Sequence, residues 1–427
     1  MKTKFLAPGL LALSWLVLRP ASAADRPISF QEAYQLAIKT SETYAQQADT
    51  TAAALARIDE LKGSVLPHIY LLASELLQEN PHLSGSLSSI SQSSLPQAQL
   101  QLTQPLFSGF RDLLALKAGK AHHRSAAYDE ARAKSLLYQG VGQAYLDVWR
   151  IQREIKIRRQ LVTDTLERIS QLGRFIKIGR SRTSEVIAAR SQLAQTEAQV
   201  EIALGEELGY EQILQFLTGL NDHLVPQDLP LPGLEPLDLF LAMTVNRSDV
   251  LAREEDVNVA RFGEEITRRQ RFPTIGLTAD YYFKRTGIQE NIHYDALFSA
   301  SFPIFDSGLT TAQVRESEAG RHSTEEALTL ARRSAERDVR TAYENLRWTL
   351  SALKAFDKAV DLAGKNVKAQ AHDYRLSLVT NLDVLDSLTS LASSQLVRSQ
   401  TQEQAILAHI QLLVASGGPD TPEKSGR

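Results

Sequence analysis

Gln104-Pro105-Leu106-Phe107-Ser108-Gly109 and Phe302-Pro303-Ile304-Phe305-Asp306-Ser307-Gly308 are the same motif written twice, with one inserted residue in the second copy. In each, a proline that cannot donate to a strand ladder is followed by aromatic packing and a glycine tolerant of unusual dihedrals. Working outward, the match extends. Leu66-Pro67-His68-Ile69 aligns with Phe272-Pro273-Thr274-Ile275, Ala144-Tyr145 with Ala342-Tyr343, and Phe175 to Ala189 with Tyr374 to Leu388. Units of about two hundred residues are too long for a small-unit solenoid, so the chain reads as two structural repeats of one fold.

The prolines divide each repeat in the same way. None falls between Pro27 and Pro67, Pro105 and Pro226, Pro236 and Pro273, or Pro303 and Pro419. Such tracts are where helices run unbroken. A short helical tract is thus followed by a long one, twice. In the first long tract Val141, Tyr145, Val148, Ile151 and Ile155, then Val162, Leu166, Ile169 and Ile176, keep a three-four rhythm. In the second, Val339, Tyr343, Leu346, Leu350 and Leu353 lead to Val360, Val367 and Tyr374 at steps of seven. That rhythm is a coiled-coil seam needing a partner helix. Gly179-Arg180-Ser181-Arg182-Thr183 and Ser377-Leu378-Val379-Thr380-Asn381 are equivalent turns where each long helix bends back. A helix from Gly109 to Ile178 would be on the order of 100 Å long, more than a compact globule needs.

Between the short and long tracts the period changes to two. Ile275, Leu277, Ala279, Tyr281 and Phe283 alternate with Thr274, Gly276, Thr278, Asp280 and Tyr282, while Phe298, Ala300, Phe302 and Ile304 alternate with Leu297, Ser299, Ser301 and Pro303. Ala98, Leu100, Leu102 and Leu106 alternate with Gln97, Gln99, Gln101 and Thr103, and Ile69 to Gln78 does so less cleanly. Lengths of ~9–11 residues suit tilted membrane strands. Aromatic residues gather at the ends of these segments, at Tyr70, Phe107, Tyr281, Tyr282, Phe283, Tyr294 and Phe305, as interfacial girdles do. Four strands cannot close a barrel, and lipid tolerates no open edge, so copies of the chain must pool strands. Geometry alone admits two, three or four copies.

Composition narrows the remaining classes. The 427 residues contain no cysteine, which excludes disulfides, thiol nucleophiles, cysteine-ligated metals and a lipoprotein anchor. Lys plus Arg is 47 against 50 Asp plus Glu, so the basic footprint of a nucleic-acid binder is missing. Mixed charges such as Arg150 to Arg159 and Ala331 to Arg340 read as solvated helix faces. Lys2 and Lys4, the apolar Phe5 to Leu18 and the small Ala21-Ser22-Ala23 form an export signal with the mature chain beginning at Ala24. No phosphate-binding loop, GxGxxG, HExxH or GxSxG occurs, and His122-His123 project about 100° apart on a helix, so no enzyme chemistry, cofactor or metal is expected.

With both repeats, the proline-aromatic-glycine strand exits, the opening Ile28-Ser29-Phe30-Gln31-Glu32-Ala33 and Asp383-Val384-Leu385-Asp386 in order along the chain, the sequence resembles the TolC family of trimeric outer-membrane efflux proteins. The resemblance implies a mainly helical fold with transmembrane β-structure, twelve strands from three copies forming one barrel continuous with an α-helical periplasmic tunnel. It also implies a periplasmic adaptor and an inner-membrane pump as partners. Asp383 and Asp386 match a pair lining the tunnel's inner aperture, where six carboxylates would attract cations. Tyr374 matches a tyrosine that helps hold the aperture closed, and Glu185 falls where the first repeat offers an acidic partner, allowing for one inserted residue. Val379 departs from the family, whose best-known member has arginine there, which leaves Arg180 or Arg182 to replace it. Pro105, Gly109, Pro303 and Gly308 fall at the bends from barrel to tunnel.

The organisation expected is a signal peptide at 1–23, repeat 1 at 24–220 with strands near 68–79 and 96–107, and a connector at 221–236. Repeat 2 follows at 237–416 with strands near 273–285 and 293–305, then a flexible tail at 417–427. The competing expectation is an exported soluble coiled-coil scaffold that never enters a membrane.

Overall fold

The computed structural model describes residues 25–79, 93–287 and 289–418. The export segment, most of the serine-rich loop and the last nine residues therefore lie outside the described residues. The first repeat runs β1 (Asp25–Ile28), α1 (Phe30–Thr40), α2 (Glu42–Gly63), β2 (His68–Leu77), β3 (Ser94–Phe107), α3 (Arg111–Lys177) and α4 (Thr183–Thr218). The second runs β4 (His223–Pro226), α5 (Leu237–Met243), α6 (Ser248–Arg268), β5 (Thr274–Lys284), β6 (Tyr294–Ser301), α7 (Leu309–Arg375) and α8 (Asn381–Ser416). Both long helices have 67 residues and both returning ones 36. Each pair is a helical hairpin on the order of 100 Å long.

Each short tract holds two helices rather than one. Ser41 closes α1 and caps α2, its hydroxyl accepting from the Tyr44 N–H at 3.2 Å. Arg247 sits at the corresponding break before α6. The connector also carries structure, since β4 pairs in parallel with β1, Asp25 to Ile28 lying opposite His223 to Pro226.

Four strands form one antiparallel sheet in the order β2-β3-β5-β6, so the hairpins of the two repeats join through β3 and β5. The register sorts the side chains. Gln99, Gln101 and Thr103 stand opposite Tyr282, Asp280 and Thr278, which puts the polar residues of both strands on one face. Leu100 and Leu102 share the other face with Tyr281 and Ala279, and with Leu71 and Ile69 of β2. That apolar face is uncovered: Leu71 is 72% exposed and Phe298 of β6 70%, against 8% for Gln99. The polar face is bonded internally, with the Gln99 and Gln101 amides donating to Asp280 at 2.8 and 3.1 Å. Tyr282, placed by composition among the interfacial aromatics, belongs to this polar face and donates to Asp295 at 3.1 Å. β6 stops at Ser301 rather than continuing to 305, because Pro303 has no N–H for the ladder. Among the described residues, β2 and β6 are left as unpaired edges.

Where the helices meet the β1–β4 pair, Ile28, Val141, Tyr145, Leu146, Val148, Leu214 and Leu224 are fully buried with Phe30 and Tyr34. Each such aliphatic side chain contributes roughly 1.5–3 kcal/mol. The Tyr145 hydroxyl lies 2.9 Å from the carbonyls of both Ile28 and Gln227, and burial pushes its pKa up to about 12. It clamps the start of repeat 1 and the connector to α3. A second cluster joins Phe240 of α5 to Val339, Leu346 and Leu412.

Candidate functional site

At the end of the hairpins remote from the sheet, the two turns adopt the same conformation with different residues. In the first, Gly179 takes a φ of 76° and the Arg180 N–H bonds back to the Phe175 carbonyl at 2.8 Å. In the second, Ser377 takes a φ of 62° and the Leu378 N–H bonds back to the Asp373 carbonyl at 3.0 Å. Both close their helix with a left-handed residue. They then open the returning helix differently. Arg182 precedes α4 without a side-chain cap, whereas Thr380 and Asp383 form a reciprocal capping box on α8.

The two turns are tied across the repeats. Tyr374 donates its hydroxyl proton to Glu185 at 2.8 Å, and Ser181 donates to the same carboxylate oxygen at 2.7 Å. Burial and the neighbouring carboxylate raise the Tyr374 pKa. The Asn381 amide reaches the Glu185 carbonyl at 3.4 Å. Arg180 donates to the carbonyl of Arg375 at 3.1 Å, placing a cation at the C-terminus of α7, where the helix dipole favours one. Beneath lies an apolar layer of Leu172, Ala189 and Leu385, with Ile169, Val186 and Tyr374 against it.

Arg168, absent from the sequence expectations, stands at the centre. It is 4% exposed, its guanidinium lies 3.8 Å from the centre of the Tyr374 ring, and its Nε donates to Asn381 at 2.8 Å. One of its terminal nitrogens has no hydrogen-bond partner among the described residues. Desolvation lowers its pKa, opposed by Tyr374 and Glu185. The signal that could have found it is positional. In the lower half of α3 the buried row is Leu161, Thr165, Arg168 and Leu172, whereas Leu166, assigned to the seam by its three-four spacing, is exposed. A charge in register with two seam leucines was the clue.

The structure thus brings Glu185 and Tyr374 into contact and leaves both aspartates apart from them. Asp383 accepts from the Thr380 hydroxyl at 2.6 Å and the Thr380 N–H at 2.7 Å, bonds that hold its pKa below the usual carboxylate range. Asp386, one turn on, is exposed and shares that face of α8. Neither Arg180 nor Arg182 pairs with these carboxylates among the described residues.

At the sheet end, Pro105 lies in β3 beside a shift of register against β5. Gly109 follows with a φ of 69° and Phe110 with 62°, and α3 begins. A Cβ on Gly109 would meet the Phe272 Cβ at 2.8 Å, so this glycine is required by both conformation and space. Pro303 follows β6, and Gly308 has a φ of 83° in open surroundings. Asp306 caps α7 there, accepting from the Gly308 and Thr310 N–H groups at 3.0 and 2.9 Å.

The family profile described as outer membrane efflux protein matches residues 242–418. The outer membrane protein TolC of Escherichia coli is 23% identical over 92% of this chain and 82% of its own. The outer membrane efflux protein BepC of Brucella suis is 22% identical over 74% of this chain and 71% of its own. Among solved structures, the outer membrane channel CmeC of Campylobacter jejuni superposes with a TM-score of 0.80 at 14% identity, covering 99% of this chain and 96% of that one. The shared architecture is that of outer-membrane channel-tunnels.

Proposed function

We propose that this chain, of the outer membrane efflux protein family, is the subunit of a passive duct through the bacterial outer membrane. Three copies each lend four strands to one barrel, and their helical hairpins continue it as a periplasmic tunnel. The observation that carries this reading is the sheet. It has one bonded polar face, one uncovered apolar face and two unpaired edges, on a chain whose helices reach about 100 Å away from it. In water an exposed apolar face and open edges invite aggregation; in lipid the face is solvated and the edges must be joined. A soluble scaffold would leave both unexplained.

The tunnel lets substrates out and performs no chemistry on them. An inner-membrane pump supplies the energy, and a periplasmic adaptor joins the pump to the helical end. Asp383 and Asp386, three times over, form the acidic ring at that end. Tyr374 and Glu185 latch the two hairpin tips of each copy together with Arg168 beneath them. Pro105, Gly109, Pro303 and Gly308 turn the chain from barrel to tunnel.

Reconstitution into a planar bilayer tests the reading. Discrete, cation-selective conductance steps are expected, and a chain that remains in the aqueous phase and passes no ions would refute it.

A further inference from the structure

We propose that a groove between the two repeats, on the helices well away from the tips, binds an organic anion bearing an aromatic or aliphatic body. The groove has a volume of about 710 Å³, within the ~300–1,000 Å³ typical of small-molecule sites. Its walls come from α3, the start of the connector, α7 and α8, so an occupant touches both repeats.

Charge selects the sign of the ligand. Arg153, Lys156 and Arg398 line the groove against one acid, Asp228. That acid is already satisfied: Trp149 donates to it at 2.9 Å and Arg153 at 2.7 Å. Arg398 is held by Asp357 at 2.7 Å. Lys156 makes no ion pair among the described residues and feels Asp228 only through space, so an anion supplies a closer partner. Apolar surface selects the body. Ile157 and Val360 present aliphatic carbons to the same groove, while the Trp149 ring, 3% exposed, lies under the Arg153 guanidinium at 4.1 Å. On the other wall Ser399 is 5% exposed and its hydroxyl has no hydrogen-bond partner among the described residues. Buried hydroxyls are rarely left so. A carboxylate seated between Lys156 and the Ser399 wall gains a charge-assisted bond from the ammonium group, and a turn of the Ser399 side chain into the groove would give its hydroxyl a partner, while the apolar body covers Val360 and Ile157.

Calorimetric titration of the purified assembly with 4-phenylbutyrate, and with 4-phenylbutylamine as its cationic counterpart, tests this. One saturable site per chain is expected, at least tenfold tighter for the carboxylate. Lys156→Gln should weaken it at least tenfold, and Lys117→Gln, an exposed lysine of the same helix outside the groove, should leave it unchanged. Absence of saturable binding, equal affinity for the amine, or indifference to Lys156→Gln would overturn the proposal. Melting temperature, read for each variant without ligand, separates lost binding from lost folding.

Discussion

Tyr374 on the second hairpin donates to Glu185 on the first at 2.8 Å, a bond that joins two tips separated by 189 positions in the chain. A hydrogen bond to a charged acceptor contributes about 1.5–3 kcal/mol, and here it is backed by the Arg168 guanidinium against the tyrosine ring. Tyr374→Phe keeps the ring contact and deletes the bond. Single-channel recordings should show larger or more frequent openings for Tyr374→Phe than for Glu185→Gln, which still offers an acceptor. Identical traces for Tyr374→Phe and the unmodified protein would remove the latch from the account.

The aspartates separate into two roles. Asp386→Asn removes a charge that makes no hydrogen bond or ion pair among the described residues, so cation selectivity and block by divalent cations should fall with melting temperature unchanged. Asp383→Asn weakens the capping box with Thr380 as well, so it should also destabilise the start of α8 by about 1 kcal/mol. Unaltered reversal potentials in both variants would dismiss the acidic ring.

Two glycines at equivalent bends should respond unequally. Alanine at a left-handed position costs roughly 1–2 kcal/mol. Gly308→Ala meets that cost alone, whereas Gly109→Ala also drives a Cβ against Phe272. The thermal midpoint of the assembly should drop further for Gly109→Ala, and the reverse order would contradict the packing described at the first strand exit.

Glu403 of α8 is 6% exposed, 3.6 Å from Arg150 and close to Asp147. Burial and Asp147 raise its pKa from 4.5 to about 7 against the pull of Arg150. Between those values the folded chain keeps a proton that the unfolded chain has released, so stability falls as pH rises across that window. Relative to Glu403→Gln, which does not titrate, the protein should lose roughly 3 kcal/mol between pH 4.5 and pH 7. Parallel pH profiles for the two proteins would show that Glu403 ionises freely in the folded state.

Much of the architecture was legible because it is written in backbone chemistry. Proline-free tracts became helices, and the alternation of Gln97, Gln99 and Gln101 with Leu100 and Leu102 became a two-faced strand. What escaped depends on tertiary context. The β1–β4 pair is four residues long and parallel, so neither strand carries a period of its own. The break at Ser41 needs no proline, only a hydroxyl that caps the next helix. Arg168 was hidden by charge itself: a guanidinium reads as a solvated face until Tyr374 and Asn381 are seen around it. Tyr374 was singled out by the family resemblance and Glu185 by its place in the first repeat, whereas the bond between them needed coordinates.

Closure of one ring by strands from separate copies is tested most directly across the two open edges. Because the chain has no cysteine, paired substitutions on β2 (Leu72→Cys) and along β6 (Tyr294 to Ser301, one at a time) place thiols only there. After oxidation of intact membranes, at least one β6 position should give a covalent species of three chains on denaturing gels, lost on reduction. Single chains at every β6 position, recovered without detergent, would contradict the barrel and with it the duct.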